Sequence, residues 1–289
     1  MIKKVFKWLK RIVLSILVLV VLVFGFGLYA MNAMGQTGEK ALDELYESGA
    51  NPTVFLLEHN EAEINTVSVG NPTNQKILFI HGSPGDWSAW NDFLQDSSLR
   101  DSFFMVSYDR CGYGNTTHGA QAELENHGES AKAIIDQFGK DEKWIIVGHS
   151  YGGAVVAYLL AKYPERIKRA VLAAGAVAPD FQEPRWYNKI ARMKLINKLI
   201  GNDMRSSNVE MIGLAPSLRD IEEFYSDNKV HQVFIQGRRD VLVSYRSTDY
   251  WKSFEMENVS YVLRENMNHF IPWSNPELIF DAIWGRESE

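Results

Sequence analysis

The chain has 289 residues, 46% of them hydrophobic and 23% charged, with a net charge of −6. That acidic balance argues against nucleic acid as a partner, because its binders need a basic surface. A single cysteine, Cys111, excludes an intrachain disulfide, and the length beyond the first three dozen residues suits one α/β domain that needs no covalent staple.

The N-terminus differs from the rest. Lys3, Lys4, Lys7, Lys10 and Arg11 precede residues 12–35, which carry no charge. Residues 12–28 (IVLSILVLVVLVFGFGL) are almost wholly apolar and near the lower limit for a bilayer-spanning helix. Basic residues before the run and Glu39, Asp43, Glu44 and Glu47 after it put the N-terminus in the cytoplasm. A single-pass membrane protein with an extracytoplasmic domain is the expectation, with residues 1–35 as basic end and transmembrane anchor. A cleaved signal peptide competes with this reading, but its apolar core should be shorter, and AMNAMG offers a poor cleavage site.

From residue 36 on, a juxtamembrane helix (39–48) is followed by short apolar runs alternating with helical patterns. Strands are predicted at 53–58, 64–69, 76–80, 103–108, 143–147, 170–174, 232–236 and 260–264. Helices are predicted at 87–94, 123–138, 151–162, 245–254 and 276–284. Runs such as ILFI, WIIV and VFI are continuously apolar, as when both faces of a sheet are covered. Alternating β and α units imply an α/β domain with a mostly parallel, doubly wound sheet flanked by helices. The interval of about 180–230 breaks this alternation with helical patterns and reads as a cap inserted near the strand ends, where α/β proteins bind ligands.

The chemistry centres on GHSYGG, residues 148–153, between the run WIIV and the helical AVVAYLLA. A serine between glycines, where a strand becomes a helix, fits G-x-S-x-G, in which a sharp turn exposes the hydroxyl as a nucleophile. Ser150 then needs a base, and the base needs an orienting acid. Of seven histidines, His269 alone follows Ser150 beyond a late strand, in the loop NMNHFIPW. His231 begins a strand. His81 and His149 read as turn residues. Asp240, in GRRDVLV just past the strand HQVFIQG, is the expected acid, with Asp180 in reserve. For a developing oxyanion, the backbone N–H groups of Ser83, in HGSPG after KILFI, and of Tyr151 are the expected donors. No ligand cluster for a metal or organic cofactor is visible, and none is expected.

HGSPG, YDRCGYGNT, GHSYGG, GRRDVLV and NHFIPW occur in the order and approximate spacing of the α/β-hydrolase family. From about residue 64 onwards the chain resembles its capped branch, which includes small esterases, proline iminopeptidases, haloalkane dehalogenases and epoxide hydrolases. The resemblance implies that fold and a serine hydrolase acting on a small-molecule acyl substrate, most simply a carboxylic ester. The family's dehalogenases and epoxide hydrolases carry aspartate where this chain has Ser150. Proline iminopeptidases show HGGPG and an arginine–glycine pair after the aspartate, whereas Ser83 and Cys111 interrupt both here. An aminopeptidase stays open as an alternative, as does a non-catalytic binding protein of the same fold. The aminopeptidase would use acidic cap residues to bind an ammonium; Glu183, Glu210, Glu222 and Glu223 are available but read as solvated helix faces.

Within the cap, residues 185–201 read RWYNKIARMKLINKLIG. Trp186, Ile190, Met193 and Leu199 or Ile200 recur at helical spacing, interleaved with Arg185, Lys189, Arg192, Lys194 and Lys198. The plainer expectation is one helix whose apolar stripe covers the pocket while its charges face water. The sharper one is a basic amphipathic helix that touches a bilayer surface.

Overall fold

The computed structural model describes residues 38–287, together with Trp8, Arg11 and Ser15, which are helical. The chain divides into two units, residues 1–37 and 38–289. The apolar run expected to cross a membrane lies outside the described residues. Among the described residues no helix is long and apolar enough to span one.

In the second unit the elements follow in chain order as α1 (Gly38–Glu47), β1 (Thr53–His59), β2 (Ala62–Val69) and β3 (Gln75–Ile80). A 3-10 turn (Trp87–Trp90) leads into α2 (Asn91–Gln95), α3 (Ser97–Ser102) and β4 (Phe103–Tyr108). Then come α4 (Leu124–Gly139), β5 (Trp144–His149), α5 (Tyr151–Lys162) and β6 (Ile167–Ala173). The interval before β7 (His231–Gly237) holds α6 (Trp186–Ala191), α7 (Lys194–Leu199) and α8 (Asn202–Arg219). The chain closes with α9 (Arg246–Lys252), β8 (Val259–Arg264), α10 (Ile271–Ser274) and α11 (Pro276–Trp284).

Among the described residues the eight strands form one sheet in the order β1-β2-β4-β3-β5-β6-β7-β8. The β1/β2 and β2/β4 pairs are antiparallel, and every other pair is parallel. β1 and β2 are joined by Asn60 and Glu61, both at positive φ (47° and 62°), as a two-residue turn matching the twist of a hairpin requires.

Alternation along the strands sorts the core into two layers. Leu78 and Ile80 of β3 pack with Ile146 and the helices α4 and α5 on one face. Ile77 and Phe79 pack with Val147, Trp90 and α11 on the other. Both faces are covered, which is why ILFI of β3, WIIV of β5 and VFI of β7 read as unbroken apolar runs. Each fully buried large side chain, such as Trp90 or Trp144, contributes about 1.5–3 kcal/mol through burial.

Two expectations need correction. The predicted helix at 87–94 is a 3-10 turn followed by the short α2, because Asp86 caps the turn by accepting from Ser88 N at 2.8 Å. The predicted single helix over 185–201 is two helices, α6 and α7, separated by an extended Met193 (φ −60°, ψ 129°). Its apolar stripe does not turn inward. Asn188 is the buried residue of α6 and donates from Nδ2 to Asn208 Oδ1 of α8 at 2.9 Å, so Trp186, Ile190 and Met193 are left exposed.

Candidate active site

The carboxyl ends of β5, β7 and β8 lie in one half of the sheet and deliver three of the predicted residues. Ser150 follows β5 directly, with φ 56° and ψ −118°. A non-glycine residue there is strained, and the neighbouring strand holds it: Ser150 N donates to Ala173 O at 3.0 Å, and Ser150 O accepts from Ala176 N at 3.0 Å. The turn is tight enough that a Cβ on Gly152 would collide with the Ile80 carbonyl. Tyr151 opens α5, so its N–H belongs to the first turn, which has no intrahelical acceptors.

Asp240 and His269 are both buried and directly bonded, with His269 Nδ1 2.8 Å from Asp240 Oδ2. The carboxylate also accepts from Gln236 Nε2 at 3.0 Å, Leu242 N at 2.9 Å and Val243 N at 2.8 Å. Burial pushes the Asp240 pKa up, but the hydrogen bond and charge of His269, with the two backbone N–H groups, outweigh it and the net shift is downward. Asp180, the reserve acid, instead lies exposed and pairs with Arg219 at 3.2 Å.

His149 joins the serine turn to the histidine loop. Its Nε2 donates to the His269 carbonyl at 2.9 Å, and its ring meets Trp273 edge-on at 5.4 Å. Burial first, and then the charge of His269, lowers its pKa to about 3, so the ring is a neutral donor, as expected of a turn residue. His81 has the same character. It donates from Nδ1 to Gly82 O at 2.7 Å and accepts Arg110 N at Nε2 at 3.0 Å.

The loop carrying Ser83 is held by a network that sequence reading missed. Arg110, fully buried after β4, donates from Nε to His81 O at 3.0 Å and from Nη2 to Gly82 O at 2.9 Å. Its Nη1 pairs with Glu210 of α8, itself fully buried. Glu210 Oε2 accepts from Ser83 Oγ at 2.6 Å and from Tyr113 Oη at 2.7 Å. The guanidinium lies 4.5 Å from the Tyr151 ring centroid. Glu210 is therefore no solvated helix face. The only cue in the sequence was an arginine inside YDRCGYGNT.

Next to Arg110, Asp109 accepts from Trp87 N at 2.9 Å, Asn115 N at 2.9 Å and Asn65 Nδ2 at 2.7 Å. Its burial raises the carboxyl pKa to about 6 despite those donors. Gly114 sits at φ 50°, where a Cβ would strike the Asp109 carboxylate.

A groove of about 740 Å³ lined by Lys143, Ile167, Phe224 and His231 lies at the amino ends of β5 to β7, away from Ser150. Among the described residues no group of three or more His, Cys, Asp and Glu is placed to hold a metal ion.

Residues 76–199 match the profile of the alpha/beta hydrolase fold. A chloroplastic protein of Arabidopsis thaliana named for methylesterase activity is 29% identical over 38% of this chain and 32% of its own length. A bifunctional esterase/perhydrolase of Acinetobacter calcoaceticus is 34% identical over 36% of this chain and 37% of its own. The 2-hydroxy-6-oxo-2,4-heptadienoate hydrolase of Pseudomonas putida is 30% identical over 42% and 43%. The matched stretches thus span between 32% and 43% of these relatives' own lengths. Among solved structures, the enol-lactonase of Burkholderia xenovorans superposes with a TM-score of 0.67 at 16% identity, over 80% of this chain and 99% of that one. An epoxide hydrolase of Vigna radiata gives 0.65 at 19% identity, over 81% and 97%. With the sheet order, the helices on both its faces and these matches together, the chain is a protein of the alpha/beta hydrolase fold.

Proposed function

We propose that this chain is a serine hydrolase cleaving carboxylic esters or related acyl bonds. The observation that carries the reading is the buried 2.8 Å contact between His269 Nδ1 and Asp240, which follow β8 and β7 in the same half of the sheet as the strained Ser150 after β5. In the proposed reaction, Ser150 Oγ attacks the acyl carbon and His269 Nε2 takes its proton. The N–H groups of Ser83 and Tyr151 receive the oxyanion. Collapse expels the alcohol with the proton from His269. Water, deprotonated by the same nitrogen, then attacks the acyl-enzyme and releases the acid, restoring Ser150. Asp240 holds the ring and balances the charge it gains. None of these steps calls on a metal or an organic cofactor.

The esterase and hydrolase names of the relatives support this class. The aminopeptidase alternative is weakened by the cap carboxylates. Glu210 is committed to Arg110, Glu183 pairs with Arg219 at 2.8 Å, and Glu222 accepts from Tyr250 at 3.0 Å. Residues 179–230 serve as the cap in this reading. Attachment to the membrane through residues 12–28, with the domain extracytoplasmic, belongs to the same proposal and is supported by charge and hydropathy alone.

A fluorophosphonate probe, with p-nitrophenyl esters of graded chain length beside aminoacyl amides, tests the reading. Covalent labelling and ester turnover, both lost in Ser150→Ala, are expected. A wild-type chain that neither labels nor turns over would leave a binding protein of the same fold.

A further inference from the structure

The helices α6 and α7 present an inside-out surface. The buried side chain of α6 is Asn188, whereas Trp186 is 72% exposed, Met193 60% and Leu199 73%. Tyr187 and Ile190 are exposed beside them, and the Trp186 and Tyr187 rings meet edge-on at 5.9 Å. Leaving large apolar side chains in water forfeits the burial they could gain, and five of them exposed within fourteen residues mark an interaction site.

The charges identify the partner. Residues 185–202 contain five basic side chains and no acidic one, in a chain whose net charge is −6. Arg185, Lys189, Arg192, Lys194 and Lys198 are all exposed, and they alternate with the apolar residues along the chain instead of ringing them. The core of a protein–protein interface is depleted of charge, lysine above all. A bilayer surface accommodates the same mixture. Trp and Tyr favour the headgroup level, aliphatic side chains reach the acyl boundary, and long basic side chains extend back to the phosphates.

We propose that α6 and α7 form a docking face for an anionic lipid surface, so that the domain rests on the bilayer through these helices as well as through any N-terminal anchor. The face is independent of the triad. It deepens the esterase reading by favouring acyl substrates that partition into lipid, and it stands or falls on a separate measurement.

The test uses the full chain, so that any attachment through residues 12–28 is common to all arms. Met193→Cys is labelled with an environment-sensitive nitrobenzoxadiazole dye; the native Cys111 is buried. The labelled chain is reconstituted in phosphatidylcholine vesicles with and without phosphatidylglycerol. Emission should shift to shorter wavelength, and be quenched by doxyl-labelled lipid, in the anionic vesicles alone. High salt should reverse the shift. The triple variant Lys189→Gln, Arg192→Gln, Lys198→Gln should abolish it while hydrolysing a water-soluble ester at the wild-type rate, which shows that it is folded. No shift in either vesicle would overturn the proposal, as would an equal shift in both that the triple variant keeps. A shift that appears with protein concentration in the absence of lipid would assign the face to a second copy and overturn it too. If no soluble ester is turned over at all, the hydrolase reading fails while the emission still decides the docking face, with the melting temperature then reporting the fold.

Discussion

In the proposed reaction Ser150 carries two separable burdens, a nucleophilic hydroxyl and a strained backbone. Ser150→Ala removes the first and keeps the second. Turnover should fall by about three powers of ten or more with little change in melting temperature. Ser150→Gly relieves the strain, because glycine accepts φ 56° without a Cβ penalty. It should raise stability by about 1 kcal/mol, read by urea unfolding, while remaining equally inactive. A glycine variant no more stable than the alanine one would mean that the turn is not strained. Asp240→Asn should cost far more activity than Asp180→Asn, since an amide cannot balance the charge that His269 gains. Asp180 holds only an exposed arginine. Comparing kcat/KM for the two variants decides which carboxylate is the acid.

Among elements, the contact of consequence is between α8 and the loop carrying Ser83. Glu210 and Arg110 are both fully buried, so removing one partner leaves an uncompensated charge. Glu210→Leu should destabilise by about 3–5 kcal/mol. Adding Arg110→Met should recover most of that stability, but the carbonyls of His81 and Gly82 then lose their donors and the loop its fixed position. The double variant should melt near wild type and still show reduced kcat. Recovery of both would make the pair purely structural.

This network also marks where sequence reading stops. The central strands were legible because a doubly covered sheet demands continuous apolar runs, and the placement of Ser150, Asp240 and His269 beyond strand ends was legible because each closely follows a predicted strand. Glu210 was not. It lies 100 residues from Arg110 along the chain, and nothing local to α8 distinguishes a buried glutamate from a solvated one. Which way α6 faces stayed open for a related reason: helical spacing finds an apolar stripe but not the side it turns to the core. A single buried asparagine settled that.

For the whole molecule, the buried histidines govern the response to acid. Burial lowers the pKa of His127 to about 4 and of His149 to about 3, and pushes His81 well down. In the unfolded chain these rings take up protons below pH ~6.5. The unfolded state therefore binds more protons, and stability falls as pH drops from ~6.5, by up to about 1.4 kcal/mol per unit for each ring. Asp109 acts in the opposite sense. Its raised pKa favours the fold at low pH, and that share is lost as pH rises through about 6. Three rings outweigh one carboxyl, so the urea midpoint should be lower at pH 5 than at pH 7. His149→Gln, which keeps a donor for the His269 carbonyl, should flatten the dependence. A midpoint independent of pH would mean that these rings are not held neutral.

The strand order has a consequence for synthesis. From β5 outward the sheet grows in chain order, β5-β6-β7-β8, each strand adding to the edge left by the one before. The serine turn rests on β3, β5 and β6, and the last two strands serve it only through the loops at their carboxyl ends. During translation it can form early, while Asp240 waits for β7 and His269 for β8. A nascent chain stalled before residue 259 would thus hold a strained serine without the histidine proposed as its base. Whatever chemistry the site performs is withheld until the final strand leaves the ribosome and docks.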